Sequence, residues 1–477
     1  MSEELCFTPA VELAAAIRRK QVSPVEIIEA VIDRAERVNP KINALMARSY
    51  DLARDVAMKT ERKIMEQGAD ALGPIEGLPV SIKDLTATKG IVTTYGVREY
   101  ADYIPDEDAP IAARIREAGG ALFAKTATPP FGWLGVTENE IIGRTNNPWD
   151  LGRTVGGSSG GAGAMVAAGI GPLATGSDGG GSIRIPSAMN GIVGHKPSLG
   201  RVPRAAESAL FEVCDALGPM TRNVADAALL LGIIAGPTQD EPIMLPEAGV
   251  DYVADLRATS TRGLRVAFSP DLGQGPVDAE VAALVRQAAK HFEAALGANV
   301  EEVAIDIADP MDFMSTFYMP QLLLAQQNEP GVARLQERYP ELQIGRPATN
   351  SLPVEQWWAH VMPAREKTFT AFAQIFGAYD ILLTPTAPVA AWPHAGAAGP
   401  TEINGAKVAK PSIDFFRFTE PFGHSGHPAL TINCGFNTAG MPVGLQIVGP
   451  MRDDRGVLRA AAAYETSTEW SKRRPAL

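Results

Sequence analysis

Apolar residues follow two different spacings along the chain, and each spacing predicts a different kind of element. In the first 70 residues, the apolar positions of 24–32 recur with a helical period behind a capping box formed by Ser23 and Glu26. Short apolar runs then appear at 78–82 and 120–124, separated by a helical stretch. This strand–helix–strand order predicts a β-sheet whose strands are mostly parallel.

The same order returns in the second half of the chain. A strand at 264–268 precedes a helical stripe over 281–296, and the segment 300–307 is strand-like again. The segment 310–375 favours helices on the outside of the fold. Further strands are predicted at 381–383, 429–432 and 444–448, and a final helix at about 454–468. We therefore expect the α/β class, with a central mixed, mostly parallel β-sheet covered by helices on both faces.

No clear linker, repeat or low-complexity block divides the chain, so we expect one large domain over 1–477. Its parts are an N-terminal helical part (1–70), a catalytic core (71–220), inserted strand–helix units with outer helices (221–375), and C-terminal strands with a helix (376–477).

Composition and charge exclude several classes of protein. The chain is 45% hydrophobic and 21% charged, as in ordinary globular proteins, and its net charge of -12 argues against a nucleic-acid partner. No apolar run reaches the roughly 18 residues of a spanning helix, and acidic Glu3 and Glu4 replace the basic start of a secretory signal. Three separate cysteines, Cys6, Cys214 and Cys434, indicate neither a disulfide framework nor a zinc site. We expect a cytoplasmic protein without a membrane partner.

Candidate chemistry concentrates in two glycine-rich clusters, at 156–161 and 179–182, each of which contains serine. Glycine lets a ligand approach the main chain, and successive free N–H groups in such a turn can hold an anion. A serine at the end of such a turn has what acyl transfer needs, namely a nucleophile beside donors for an oxyanion. A tight turn without chemistry is the alternative for either cluster taken alone.

Together with the sequence 81–84 upstream, these clusters resemble the amidase signature family. The resemblance covers most of the chain and is strongest over 73–203 and 379–465. In that family a lysine, a middle serine and a nucleophilic serine form a Ser–cisSer–Lys triad. The matching positions are Lys83, Ser158 and Ser182, which are 75 and 24 positions apart in sequence.

The resemblance implies an amidase that cleaves a carbon–nitrogen bond without a metal or other cofactor. Neutral Lys83 would take a proton from Ser158, which takes one from Ser182, and Ser182 attacks the carbonyl carbon. The family also implies a cis bond between Gly157 and Ser158. Its oxyanion hole corresponds to the N–H groups of Gly179, Gly180, Gly181 and Ser182.

Other residues near the motifs are expected to support the site or to bind substrate. Asp178 and Arg184 flank the nucleophile and should hold its loop by an ion pair or by backbone contacts, and Ser159 should support the loop by hydrogen bonding. Trp133, Phe416 and His424 are candidates for the substrate pocket. We hypothesise an apolar pocket for a linear, cyclic or aryl amide, with carbamate (urethane) or ester cleavage as a side activity, because 418–429 is similar to hydrolases of nylon oligomers.

Two alternative functions remain at this point. One is the glutamine-hydrolysing A subunit of glutamyl-tRNA amidotransferase, although 415–421 lacks the aspartate expected there and 357–370 shows no arginine motif. The other is an α/β-hydrolase-type esterase with Ser159 in a nucleophile elbow, although no catalytic histidine suggests itself. We expect a small-molecule amide as substrate, no nucleic acid, and a monomer or homodimer.

Overall fold

The computed structural model describes residues 2–204, 213–239, 241–256, 260–339, 353–394 and 398–477. The strands in these ranges are β1 Leu45–Arg48, β2 Pro79–Lys83, β3 Ala121–Thr126, β4 Glu138–Asn139, β5 Gly143–Arg144, β6 Leu173–Asp178, β7 Val193–Lys196, β8 Ala216–Thr221, β9 Arg265–Phe268, β10 Asn299–Glu302, β11 Ile381–Pro385, β12 Glu402–Ile403, β13 Ala406–Lys407, β14 Ala429–Phe436 and β15 Pro442–Val448.

The helices in the same ranges include several short turns at the site. They are α1 Ser2–Phe7, α2 Ala10–Arg18, α3 Pro24–Ile42, α4 Tyr50–Gln67, α5 Pro110–Glu117, α6 Gly160–Ala167, α7 Arg184–Asn190, α8 Val224–Ile234, α9 Tyr252–Asp255, α10 Ala279–Ala294, α11 Pro310–Phe313, α12 Met319–Ala325, α13 Val332–Arg338, α14 Val354–Ala378, α15 Glu420–His424 and α16 Asp454–Thr466. A π-helical turn, Met314–Tyr318, joins α11 to α12.

The strands form a mixed eleven-stranded sheet in the order β1-β3-β2-β6-β8-β7-β14-β15-β11-β9-β10. Parallel ladders join β3–β2–β6 and β11–β9–β10, where strand–helix–strand units were predicted, and the remaining neighbours pair antiparallel. The predicted α/β class and mixed central sheet are therefore confirmed, but four of the ten neighbouring pairs are parallel and six are antiparallel, rather than mostly parallel as expected. The strand predicted at 300–307 is shorter than expected and ends at Glu302.

Helices cover both faces of the sheet because strand side chains alternate between two cores. Val80 and Ile82 of β2 pack into a core that includes residues of α2, α5, α8, α10 and α16. Phe123 of β3 and Ala174 of β6 lie in a second core with residues of α3, α4 and α6. Each fully buried apolar side chain of this kind stabilises the fold by about 1.5–3 kcal/mol.

Local sequence signals also fix the helix ends. The capping box at Ser23 is confirmed, because its hydroxyl accepts a hydrogen bond from the amide of Val25 and its amide donates to the carboxylate of Glu26. All three cysteines are buried, and none of them forms a disulfide bond within the described residues. None of the helices in the described ranges is both long and apolar enough to cross a membrane.

The topology brings the candidate residues to one edge of the sheet. Lys83 ends β2 and Asp178 ends β6, and these strands are parallel neighbours, so their carboxyl ends meet. α6 begins immediately after Ser159, and α7 begins two residues after Ser182. The two glycine-rich clusters therefore both lie in turns that precede a helix at this edge.

Candidate active site

Lys83 and Ser158 are in direct contact. Nζ of Lys83 lies 2.6 Å from Oγ of Ser158 and 2.8 Å from Oγ of Ser177, which lies next to the end of β6. The bond between Gly157 and Ser158 is cis, as the family resemblance implied. Two hydroxyl groups therefore hold the lysine amine at the position where it can exchange a proton with Ser158.

Burial makes Lys83 a usable base. The side chain is only 1% exposed, and this desolvation lowers the pKa of Lys83 from 10.5 to about 7. The charges of Asp215 and Asp178 act in the opposite direction and limit the fall. A substantial fraction of Lys83 is then neutral near pH 7, whereas an exposed lysine would be almost fully charged.

Ser182 reaches the same cavity as Ser158. It lies on the loop between β6 and α7, and its carbonyl accepts a hydrogen bond of 3.2 Å from the amide of Ser159. Ser158, Ser177 and Ser182 all line one cavity of about 180 Å³. The Ser182 hydroxyl therefore belongs to the same site as the Lys83–Ser158 pair.

The Asp178–Arg184 ion pair holds the loop that carries Ser182. Both side chains are fully buried, and two guanidinium nitrogens donate to the carboxylate at 2.7 and 2.9 Å. The same carboxylate accepts from the amides of Ile183 and Arg184. Burial alone would raise the pKa of Asp178, but Arg184, Lys196 and the amide of Ile183 together outweigh it and lower that pKa. The expected supporting role of both residues matches this geometry.

The loop exposes a row of backbone donors. Within the described residues, no protein acceptor receives the N–H groups of Gly179, Gly180, Gly181 or Ser182. Gly181 has a φ of +145°, and a Cβ there would overlap the hydroxyl of Thr419. Such a set of fixed donors beside a serine is the arrangement that stabilises an oxyanion.

Ser159 faces away from the cavity. Its hydroxyl is buried, donates to the carbonyl of Ser177 at 3.2 Å and accepts from the amide of the same residue at 3.3 Å. This contact ties the first glycine-rich cluster to β6, which is the supporting role expected for Ser159. The geometry argues against Ser159 as an elbow nucleophile.

The cavity contains residues that the sequence analysis did not identify. Ser177 contacts Lys83 directly, Asp215 is the carboxylate with the largest charge effect on it, and Arg204 lines the cavity wall. Tyr318 from the π-helical turn lies against Gly179, where a Cβ would overlap its hydroxyl. Only the position of Ser177 beside Asp178, in a serine-rich segment, gave any signal in the sequence.

The three pocket candidates have different positions. Trp133 and Phe416 line a second, smaller cavity of about 30 Å³ beside the first. His424 is not among the described residues that line either cavity. It is buried against Phe313, with ring centroids 4.3 Å apart, and its Nδ1 lies 2.9 Å from the Glu420 carboxylate. The structure thus corrects the expectation for His424, because a short helix turns it into the protein interior.

Within the described residues, no group of three or more His, Cys, Asp and Glu side chains is arranged to hold a metal ion. The chemistry available at the cavity includes the hydroxyl groups of three serines, one amine of lowered pKa and a row of backbone donors. Together these groups equip the cavity for nucleophilic attack on a carbonyl carbon.

The chain belongs to the amidase family, whose sequence model matches residues 26–458. It is therefore a hydrolase of carbon–nitrogen bonds other than peptide bonds. Over 99% of its length it is 39% identical to an acylamidase from Rhodococcus erythropolis, of which it covers 98%. It is 35% identical to the A subunit of the glutamyl-tRNA(Gln) amidotransferase from Moorella thermoacetica, with 99% of both chains covered.

Solved structures with this fold include two amidases. A bacterial aryl acylamidase of the amidase signature family superposes with a TM-score of 0.88 at 32% identity, covering 98% of this chain and 97% of the other. A 6-aminohexanoate cyclic dimer hydrolase has a TM-score of 0.82 at 29% identity, covering 98% and 99%.

Proposed function

We propose that this protein is a stand-alone amidase that uses Ser182 as nucleophile and Ser158 and Lys83 as a proton relay. The observation that carries the proposal is the contact of 2.6 Å between Ser158 and a buried lysine whose pKa is lowered to about 7. Ser177 holds the amine from a second side.

The steps of the reaction follow from these positions. Neutral Lys83 accepts the proton of Ser158 while Ser158 accepts that of Ser182, and Oγ of Ser182 bonds to the carbonyl carbon. The N–H groups of 179–182 receive the oxyanion. Ser158 then donates a proton to the leaving nitrogen as the carbon–nitrogen bond breaks. Water then attacks the carbonyl carbon of the acyl-enzyme, the same relay accepts its proton, and the acyl group is released as a carboxylic acid.

For the substrate, we propose an amide with an apolar acyl or aryl group. Leu85, Phe131, Leu217 and Leu322 contribute apolar walls to the catalytic cavity. Relatives described as acylamidase and aryl acylamidase support this substrate class. The proposed partner is this small molecule alone, without nucleic acid or membrane. We propose that the enzyme is a monomer or homodimer, and that carbamates and esters are side substrates.

A glutaminase that serves an amidotransferase is a second candidate function. Full-length relatives at 31–35% identity carry that description, and Gln321 and Gln326 give the cavity a polar side. The two functions differ in substrate, because a glutaminase must accept a small polar amide whereas an aryl acylamidase accepts an anilide.

The nucleophile is tested by intact-mass spectrometry after treatment with a fluorophosphonate, followed by peptide mapping. We expect one adduct on Ser182 in wild type and in Ser159→Ala, and none in Ser182→Ala. Ser159→Ala is the matched control because it removes a neighbouring hydroxyl that lies outside the cavity. An adduct on Ser159 would contradict the proposed triad.

The substrate class is tested by comparing kcat/KM for p-nitroacetanilide with that for glutamine. We expect clear turnover of the anilide and little of glutamine. Equal turnover of both substrates would refute the apolar preference, and turnover of glutamine alone would favour the amidotransferase function.

A further inference from the structure

The smaller cavity beside the catalytic cavity is largely apolar and is lined by residues of three segments, 133–135, 314–319 and 412–416, together with Ala398. We call the cavity lined by Trp133, Met314, Met319, Ile413 and Phe416 the side cavity. Its volume is about 30 Å³, which is room for a small group only. Methionine side chains are unbranched and adaptable, so walls of this kind can reshape around an apolar ligand.

Two of these segments continue into the wall of the catalytic cavity. Phe131 and Gly132 line the catalytic cavity, and the next residue, Trp133, lines the side cavity. Tyr318 lines the catalytic cavity, and the next residue, Met319, lines the side cavity. The two spaces are therefore separated by little more than these two stretches of chain.

One hydrogen bond ties the two segments together. Nε1 of Trp133 donates to Oε1 of Gln326 at 2.6 Å. Trp133 lines the side cavity, Gln326 lines the catalytic cavity, and the indole is 6% exposed. The Trp133–Gln326 pair is therefore a wall between the cavities rather than a part of either one alone.

The side cavity also reaches the loop of free backbone donors. A Cβ placed on Gly180 would lie 3.4 Å from the ring of Phe416 and 3.5 Å from the methyl group of Met314. Gly180 belongs to the loop that would receive the carbonyl oxygen. The acyl group stays attached to that carbonyl carbon through both half-reactions, whereas the amine leaves after the first.

We propose that the side cavity is a subsite for the apolar end of the acyl group, and that Trp133 limits the acyl length that the enzyme accepts. This inference rests on the proposed amidase function. Short acyl groups fit the catalytic cavity alone. Longer alkyl or aryl-alkyl groups reach the side cavity only when the indole wall is removed or displaced.

The test is a series of p-nitroanilides of acetic, butyric, hexanoic and octanoic acid, assayed by release of p-nitroaniline. Trp133→Ala should raise the ratio of kcat/KM for the octanoyl substrate to kcat/KM for the acetyl substrate by at least about tenfold. A single methylene group in an apolar pocket can change kcat/KM by about this factor. Trp133→Phe keeps aromatic bulk but lacks the donor, so its ratio should lie between those of wild type and Trp133→Ala.

Two further variants control for unrelated effects. Trp358→Ala removes an exposed tryptophan that is not among the described residues lining either cavity, and its ratio should equal that of wild type. Adding Ser315→Phe to Trp133→Ala should fill the side cavity and return the ratio toward wild type, because Ser315 lines that cavity.

The outcomes separate this inference from the proposed function. If wild type cleaves none of the anilides, the proposed function fails before any variant is compared. If wild type cleaves them but a folded Trp133→Ala keeps the wild-type ratio, or Trp358→Ala changes it equally, the subsite is refuted. If Trp133→Ala does not fold, Gln326→Met must shift the ratio in the same direction, and an unchanged ratio there refutes the subsite too.

Discussion

The lowered pKa of Lys83 makes a quantitative prediction for the pH dependence of catalysis. The proposed relay needs neutral Lys83, and the pKa of Lys83 is about 7 because the amine is buried. Below that value, the neutral fraction falls about tenfold for each pH unit. We therefore expect kcat/KM for a neutral anilide to reach a plateau above about pH 8 and to be about a hundredfold lower at pH 5.

An exposed lysine would give a different profile. With its ordinary value of 10.5, the neutral fraction would still be rising at pH 9 and no plateau would appear in the neutral range. We call the part of the pH profile in which kcat/KM rises with pH the acid limb. Its position depends on the desolvation of Lys83, and not merely on the presence of a lysine. The assay is release of p-nitroaniline at substrate concentrations well below KM, from pH 5 to 10, in buffers of constant ionic strength.

A carboxylate variant gives the control for the assignment. Asp215 lines the cavity, and its charge raises the pKa of Lys83. Asp215→Asn should therefore move the acid limb to lower pH, whereas loss of a distant surface carboxylate, as in Glu302→Gln, should leave it in place. A limb that is unchanged in Asp215→Asn, or one that lies above pH 9 in wild type, would refute the reasoning.

Three further predictions follow from the same contacts. Asp178→Asn should lower the free energy of unfolding by about 3–5 kcal/mol in urea titrations, because it leaves Arg184 charged and buried. Arg286→Gln breaks the half-exposed surface pair with Glu302 and should lower this free energy by less than about 1 kcal/mol. Equal losses in the two variants would contradict the prediction. Gly179→Ala should lose most of its anilide turnover, because the added Cβ overlaps the Tyr318 hydroxyl. The Cβ of Gly180→Ala meets only ordinary van der Waals contacts, so this variant should keep far more of the turnover. Equal kcat/KM values for the two variants would contradict the prediction. Lys83→Met should unfold at a higher temperature than wild type at pH 6, because a lysine whose pKa is lowered in the folded state destabilises that state below this pKa. The difference between the two melting temperatures should narrow as the pH rises from 7 to 10. A difference that widens with pH would contradict this prediction.

Much of the candidate site could be predicted because its chemistry lies in contiguous motifs. Lys83, Ser158 and Ser182 were located because short motifs resemble those of the amidase signature family. The structure brings Lys83 and Ser158 into contact and places Ser182 in the same cavity. Ser177 and Asp215 were missed because their roles depend on which strands are neighbours. That pairing of β2, β6 and β8 is a long-range property that no local pattern encodes.

The strands at the centre of the sheet were missed for a packing reason. β6 and β8 have the sequences LATGSD and ALGPMT, with few β-branched or aromatic residues. Their glycines are needed because neighbouring groups approach closely: a Cβ on Gly218 would overlap the carbonyl of His195, and one on Gly176 would lie 2.8 Å from the sulfur of Met220. Small residues that are typical of loops therefore form closely packed strands beside the Ser182 loop.

His424 shows how a buried long-range contact overrides a loop-like sequence. Its surroundings, rich in glycine and proline, indicated a loop that could line a pocket. In the structure α15 ends at His424, and the ring packs against Phe313, which lies more than a hundred residues away in the chain. Only the contact with Glu420, at helical i,i+4 spacing, could have been anticipated locally.

The buried charges around the site act together on Lys83. Asp178 lies near the relay, and its charge alone would favour protonated Lys83 and so weaken the base. Arg184 forms a bidentate pair with Asp178, and this pair fixes the Ser182 loop. Burial of Lys83 then outweighs the remaining carboxylate effects, and the pKa falls. Loss of Arg184 would leave the Asp178 carboxylate buried and without its guanidinium partner, so we expect it to impair the positioning of the Ser182 loop.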